Sequence, residues 1–189
     1  TMADLDWRFH VVEDDAVNAF NAPGGLVYLN TGLIATAENA SELVAVLAHE
    51  VGHGVARHGT RRLSQQYGVA VLAGLVLGED PGLVAEIAAS LAAAGTMARF
   101  SREDEFEADE MGLRYAARAG YTPRGMVTFF GRLLEMQERE PGSVESFFST
   151  HPATRERIDR AEELIAEMGS LSGLATNDDR FPGVRGRVR

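Results

Sequence analysis

Short alternating runs of polar and apolar residues open the chain, and a helical period then takes over. "RFHVVED" (8–14) and "VNAFNA" (17–22) read as short strands and "GLVYLNTGLI" (25–34) as a third, with the turn "APGG" between the last two. From Asn39 onward Leu43, Val44, Leu47, Val51 and Val55 recur at helical spacing. Asn39 with Glu42 three residues later predicts a capping box on a helix running to about Arg57. Residues 61–98 are Ala-rich and apolar, broken by "GEDPG". A membrane span needs about 20 unbroken apolar residues. Stretch 69–77 is too short and stretch 83–98 carries Glu86, so two packed helices are expected rather than spans. A lid over a cleft, hinged at those glycines, is the sharper alternative. Further helices are expected at about 101–119, 123–139 and 152–168. The reading is an α+β, mainly helical single domain over 1–168 with a small N-terminal β-sheet, and a Gly/Ser/Asp-rich irregular tail over 169–189.

The first long helix carries "HEVGH". On a helix, positions i and i+4 share a face, so His49 and His53 can present their imidazoles to one metal ion. Glu50 borders that face without being a ligand, where it can take a proton from water at the metal. A metzincin would continue with Gly at 56 and His at 59, but the chain has Ala56 and Gly59. His58 falls one residue off that register and about 180° round the wheel from His49. It is expected on the surface.

Composition narrows the rest of the coordination shell. With no cysteine among 189 residues, thiolate zinc sites, disulfides and thiol nucleophiles are excluded, so the third protein ligand is expected to be a carboxylate. Net charge is −10, which argues against a nucleic-acid partner. "SREDEFEADEMG" (101–112) supplies six acids, and a helical wheel sorts them. Glu105 lies about 40° from Asp109, on the apolar face with Phe106, Leu113 and Ala116. Glu103, Glu107 and Glu110 join Arg114 and Arg118 on the opposite, solvated face. An inward carboxylate is costly unless paired or metal-bound. Glu105 is therefore the expected third ligand, and Asp109 the expected acceptor for the free ring N–H of His49.

"HEVGH", "SREDEFEAD" and "FFSTHPATRERI", in that order, resemble gluzincin peptidases related to the CAAX prenyl protease and the HtpX heat-shock protease. "VNAFNAPGGLVYLNTGLI" looks most like the soluble, periplasmic BepA-like members. The resemblance implies a zincin-like fold and a zinc-dependent endopeptidase with one zinc ion per chain, and places it in the bacterial cell envelope or periplasm. It also implies transition-state stabilisation by His151 and Arg157. A loop histidine beside an open zinc site could instead take the fourth position and hold the enzyme inactive.

Polypeptides, unfolded or misfolded ones above all, are the expected substrates. An extended peptide could pair with "NAFNA" as an edge strand, with Asn18 reaching a peptide amide. The alternative function is a zinc-containing chaperone or peptide-binding protein with little proteolysis. No secretory leader is visible at Thr1: a signal peptide has either been removed or never existed, and any membrane association is expected only through a removed N-terminal segment.

Overall fold

Three strands, β1 (Arg8–Val12), β2 (Ala19–Ala22) and β3 (Leu26–Asn30), form one sheet in the order β1-β3-β2, with β1 parallel and β2 antiparallel to β3. The computed structural model describes residues 5–67, 99–152 and 154–188. Beyond the part ending at Tyr67, the Ala-rich stretch lies outside the described residues, and with it the expected helix pair and lid.

The third strand ends earlier than its sequence suggested. After Asn30 the chain turns into a short helix, α1 (Thr31–Thr36). The Thr31 hydroxyl donates to the Asp14 carbonyl at 2.9 Å and accepts from the Asp14 amide at 3.0 Å, while Gly32 N–H donates to the same carbonyl. These bonds stop the strand, and the helix lets the adjacent Leu33 and Ile34 both reach the core. A strand would have sent them to opposite faces.

Helix α2 (Ala40–Val55) carries the HExxH sequence through the middle of the molecule. Its N-cap is Asn39, whose side chain accepts from the Glu42 amide. The return half of the expected capping box is displaced by one residue, because the Glu42 carboxylate accepts from the Glu38 amide. That carboxylate is buried. It is held by both terminal nitrogens of Arg132 at 3.0 Å and by the Thr128 hydroxyl, which anchors the start of α2 to a later helix.

Two further helices complete the frame around α2: α3 (His58–Tyr67) and α4 (Arg102–Arg118), the latter opened by a full Ser101/Asp104 capping box. Next come α5 (Arg124–Arg139), whose last turn leads into a 3₁₀ turn at Pro141–Ser143, and the short α6 (Glu145–Thr150). Helix α7 (Arg155–Glu167) and α8 (Phe181–Gly186) end the chain.

The core lies between the sheet and the helices, built on Val27, Leu29, Leu33, Val46, Leu113, Phe129, Phe130, Leu133 and Phe147. Helices α2 and α4 meet closely. A Cβ on Gly52 would lie 2.9 Å from the Ala108 carbonyl oxygen, and one on Gly112 would lie 3.1 Å from the His49 Cα. Only glycine lets the two backbones come this near. Among the described residues, no helix is long and apolar enough to cross a membrane.

The tail departs from its irregular expectation. Ser41 N–H donates to the Thr176 carbonyl, Tyr121 bridges to Ala175, and Phe181 of α8 is buried in the core. The apolar surface of Phe181 outweighs the polar composition around it. Phe181→Ala should lower unfolding free energy by about 3 kcal/mol in urea titration. No change would mean that the tail is not part of the folded unit.

Candidate metal centre

Four of the chain's five histidines, His49, His53, His58 and His151, are fully buried around one point, together with Glu50, Glu105, Asp109 and Arg157. Helix α2 contributes His49, Glu50 and His53, α4 contributes Glu105 and Asp109, and His151 comes from the residue that ends α6. Arg157 lies in the first turn of α7, buried rather than at the surface.

Pro152 was expected to start the last long helix. That helix begins three residues later instead, with Thr154 as N-cap accepting from the Arg157 amide. His151, the C-cap of α6, thus stands ahead of that helix and is buried in the cluster.

The donor atoms have the spacing of a coordination shell. His53 Nε2 lies 3.0 Å from His49 Nε2, and Glu105 Oε1 lies 3.4 Å from His53 Nε2. His151 Nδ1 lies 3.1 Å from Glu105 Oε1 and 3.4 Å from His49 Nε2. Ligands of a tetrahedral zinc ion, each about 2.0–2.1 Å from the metal, stand about 3.3–3.4 Å from one another. One atom from each of His49, His53, Glu105 and His151 thus fits a single ion. With the His49 Nδ1 proton directed at Asp109, its Nε2 presents a lone pair to the cluster, since a neutral ring has only one N–H to donate.

The surroundings keep His53 and Glu105 in binding form. Burial, then the neighbouring His49, pushes the His53 ring well below the usual histidine range, so it stays neutral. Burial alone would raise the Glu105 carboxyl, but the charges of His151 and Arg157 outweigh it and hold Glu105 well below the carboxylate range. Metal binding needs neutral imidazole and ionised carboxylate. For Glu50 burial wins over the nearby positive charges, and its pKa is raised. Neither Glu50 oxygen accepts a hydrogen bond among the described residues, and Oε1 lies 3.4 Å from His151 Nε2.

The family model for Peptidase family M48 matches residues 1–165. The chain belongs to peptidase family M48. Among its curated relatives is the mitochondrial metalloendopeptidase OMA1 of Schizosaccharomyces pombe, 34% identical over 166 residues, covering 88% of this chain and 49% of the relative. The beta-barrel assembly-enhancing protease of Escherichia coli is 33% identical over 181 residues, covering 91% of this chain and 37% of the relative. The M48 chain therefore spans half or less of the length of these proteins. Zinc is the metal that M48 peptidases use, and the buried His/Glu cluster can hold one such ion.

Around the cluster, Asp109 Oδ1 stands 2.9 Å from His49 Nδ1, the partner expected of it. Asp109 also takes both Nε and NH2 of Arg157 at 2.7 Å, a pairing the sequence did not suggest. Arg157 NH1 reaches Glu105 Oε2 at 2.5 Å and the Pro152 carbonyl at 3.0 Å, and the guanidinium lies over the Phe130 ring. In this conformation each of its three nitrogens is engaged with a protein group.

His58 was expected on the surface and is buried instead. The helical wheel did not apply to it, because α2 ends at Val55 and Arg57 adopts φ 59°, folding His58 back as the first residue of α3. Its Nδ1 lies 2.8 Å from His53 Nδ1, and its Nε2 lies 3.1 Å from Glu107, an acid expected to point only to solvent. Asn18 stands outside these contacts. It precedes β2, is buried, and its Oδ1 accepts no hydrogen bond among the described residues.

Asp109→Ala leaves a buried guanidinium short of its bidentate partner. It should cost about 3–5 kcal/mol of stability and weaken zinc binding by about 10- to 100-fold. Urea unfolding and chelator competition measure the two effects.

Proposed function

We propose that this M48 chain is a zinc-dependent metalloendopeptidase that hydrolyses peptide bonds in unfolded or misfolded polypeptides. The observation that carries this reading is the convergence of His49 and His53 of HExxH, Glu105 of α4 and His151 on one point, with the Glu50 carboxylate, which accepts no hydrogen bond among the described residues, beside it. His49, His53 and Glu105 would hold the zinc ion. When bound, zinc supplies a Lewis acid that polarises the scissile carbonyl and lowers the pKa of water.

The protein's own groups do the proton work. Glu50, its pKa raised by burial, accepts a proton from the attacking water and delivers it to the leaving amine. Asp109 fixes the tautomer of His49, and Arg157 holds Asp109 and Glu105 in place. We assign transition-state stabilisation to His151 and Arg157 once substrate has entered.

His151 has a second role in the resting protein. Its Nδ1 lies among the other donors, which supports a fourth ligand that keeps the site closed until the His151 ring withdraws. A structural zinc protein acting as a chaperone would use four protein ligands in the same way. The free Glu50 carboxylate favours the peptidase.

Substrate would enter in extended form along β2. Among the described strands β2 pairs only with β3, and its other edge is the one an extended peptide would join through backbone hydrogen bonds. Asn18, at the head of that strand, would bond a peptide amide. We place its action in the bacterial cell envelope or periplasm, on the likeness to the beta-barrel assembly-enhancing proteases.

Glu50→Gln should keep one zinc per chain by elemental analysis and lose all chelator-sensitive cleavage of casein. His49→Ala and Glu105→Ala should lose both zinc and cleavage. Continued casein cleavage by Glu50→Gln would remove the assignment of the base. His151→Ala should raise casein cleavage several-fold if closure limits the rate, whereas a fall would leave the ring only its transition-state role.

A further inference from the structure

The contact between His53 and His58 allows a single proton arrangement if His53 is to bind metal. Their Nδ1 atoms lie 2.8 Å apart, both rings are buried, and a gap that short needs one hydrogen between the two nitrogens. If the hydrogen belongs to His58, the His53 Nδ1 is the acceptor and its Nε2 carries the ring proton. That proton would point at His49 Nε2, 3.0 Å away, and abolish the ligand. If the hydrogen belongs to His53, its Nε2 lone pair faces the cluster. His58 must then carry its own proton on Nε2.

The far side of His58 selects the second arrangement. Its Nε2 faces Glu107 Oε2 at 3.1 Å and Asp104 Oδ1 at 3.3 Å, both carboxylates on α4, which when ionised can accept a hydrogen bond but not donate one. A proton on Nε2 satisfies them. A bare Nε2 would set a lone pair against two anions. The chain accepts an uncommon backbone to make this contact, since Arg57 is the one non-glycine residue at positive φ among the described residues. On the other side the ring of Phe100 stacks on His53 with centroids 4.1 Å apart, which fixes the plane in which the contact is made.

We propose that His58 is a positioning residue for the metal centre: held by Glu107 and Asp104, it accepts the Nδ1–H of His53 and so turns the Nε2 lone pair of that ring to the zinc ion. Helix α4 thus orients both imidazoles of α2, His49 directly through Asp109 and His53 through His58. The inference rests on the zinc reading given above.

Zinc affinity, measured on the full chain by competition with a chelating dye, tests it with two variants. His58→Phe keeps a ring but offers no acceptor, and should bind zinc about 10- to 100-fold more weakly. His58→Asn places a carbonyl oxygen where Nδ1 was, and should stay within a few-fold of wild type. A purely packing role predicts the opposite order, with Phe tolerated and Asn damaging. Unchanged affinity in His58→Phe, or an equal loss in both variants, overturns the proposal.

If either variant fails to fold, ¹⁵N spectra of the histidine rings in zinc-loaded wild type decide. The expected pattern is a protonated Nδ1 on His53 and a protonated Nε2 with bare Nδ1 on His58. A protonated Nδ1 on His58 overturns the assignment. Wild type that binds no zinc would defeat the peptidase reading itself, and this inference with it.

Discussion

The close contact between α2 and α4 is the constraint on which the rest of the molecule depends. It brings two imidazoles on one helix to 3.6 and 3.4 Å from the Glu105 carboxylate on the other, and it is possible because Gly52 and Gly112 leave room for the backbones. Buried ionisable groups on either helix alone would be costly. Brought together they compensate one another, and the helices are anchored at their ends by Glu42 with Arg132 and by the Ser101 capping box.

Such a cluster is a poor way to gain stability. Buried ion pairs lose about as much through desolvation as they recover through attraction. The buried Arg157, with Asp109 and Glu105, is therefore better understood as positioning than as reinforcement. It also joins two parts of the site that are distant in sequence. One guanidinium touches the ligand carboxylate, the residue beside His49 and the backbone of the loop that carries His151.

Much of the site was legible in the sequence because its geometry is local. His49 and His53 share a face by the helix repeat, and the wheel over 101–112 separated Glu105 and Asp109 from their solvated neighbours. Asn39 was identifiable as a cap. Where the reasoning extended a helix past its end it failed, as for His58, whose position depends on the reversal at Arg57. It failed likewise where a contact from far along the chain decided the outcome: Asp14 cuts the third strand at Asn30, and Phe181 draws a polar tail into the core.

The sequence by itself determined the two ligand-bearing helices, their inward faces and the chemical types that face a metal, since these follow from backbone periodicity and from the absence of cysteine. His151 and Arg157 were implied by the resemblance that "FFSTHPATRERI" carries, but only the tertiary structure decided how they and His58 meet the centre. His58, Arg157 and His151 reach it through loops and helix ends, where no repeat constrains direction and the packing of distant segments sets where a side chain points.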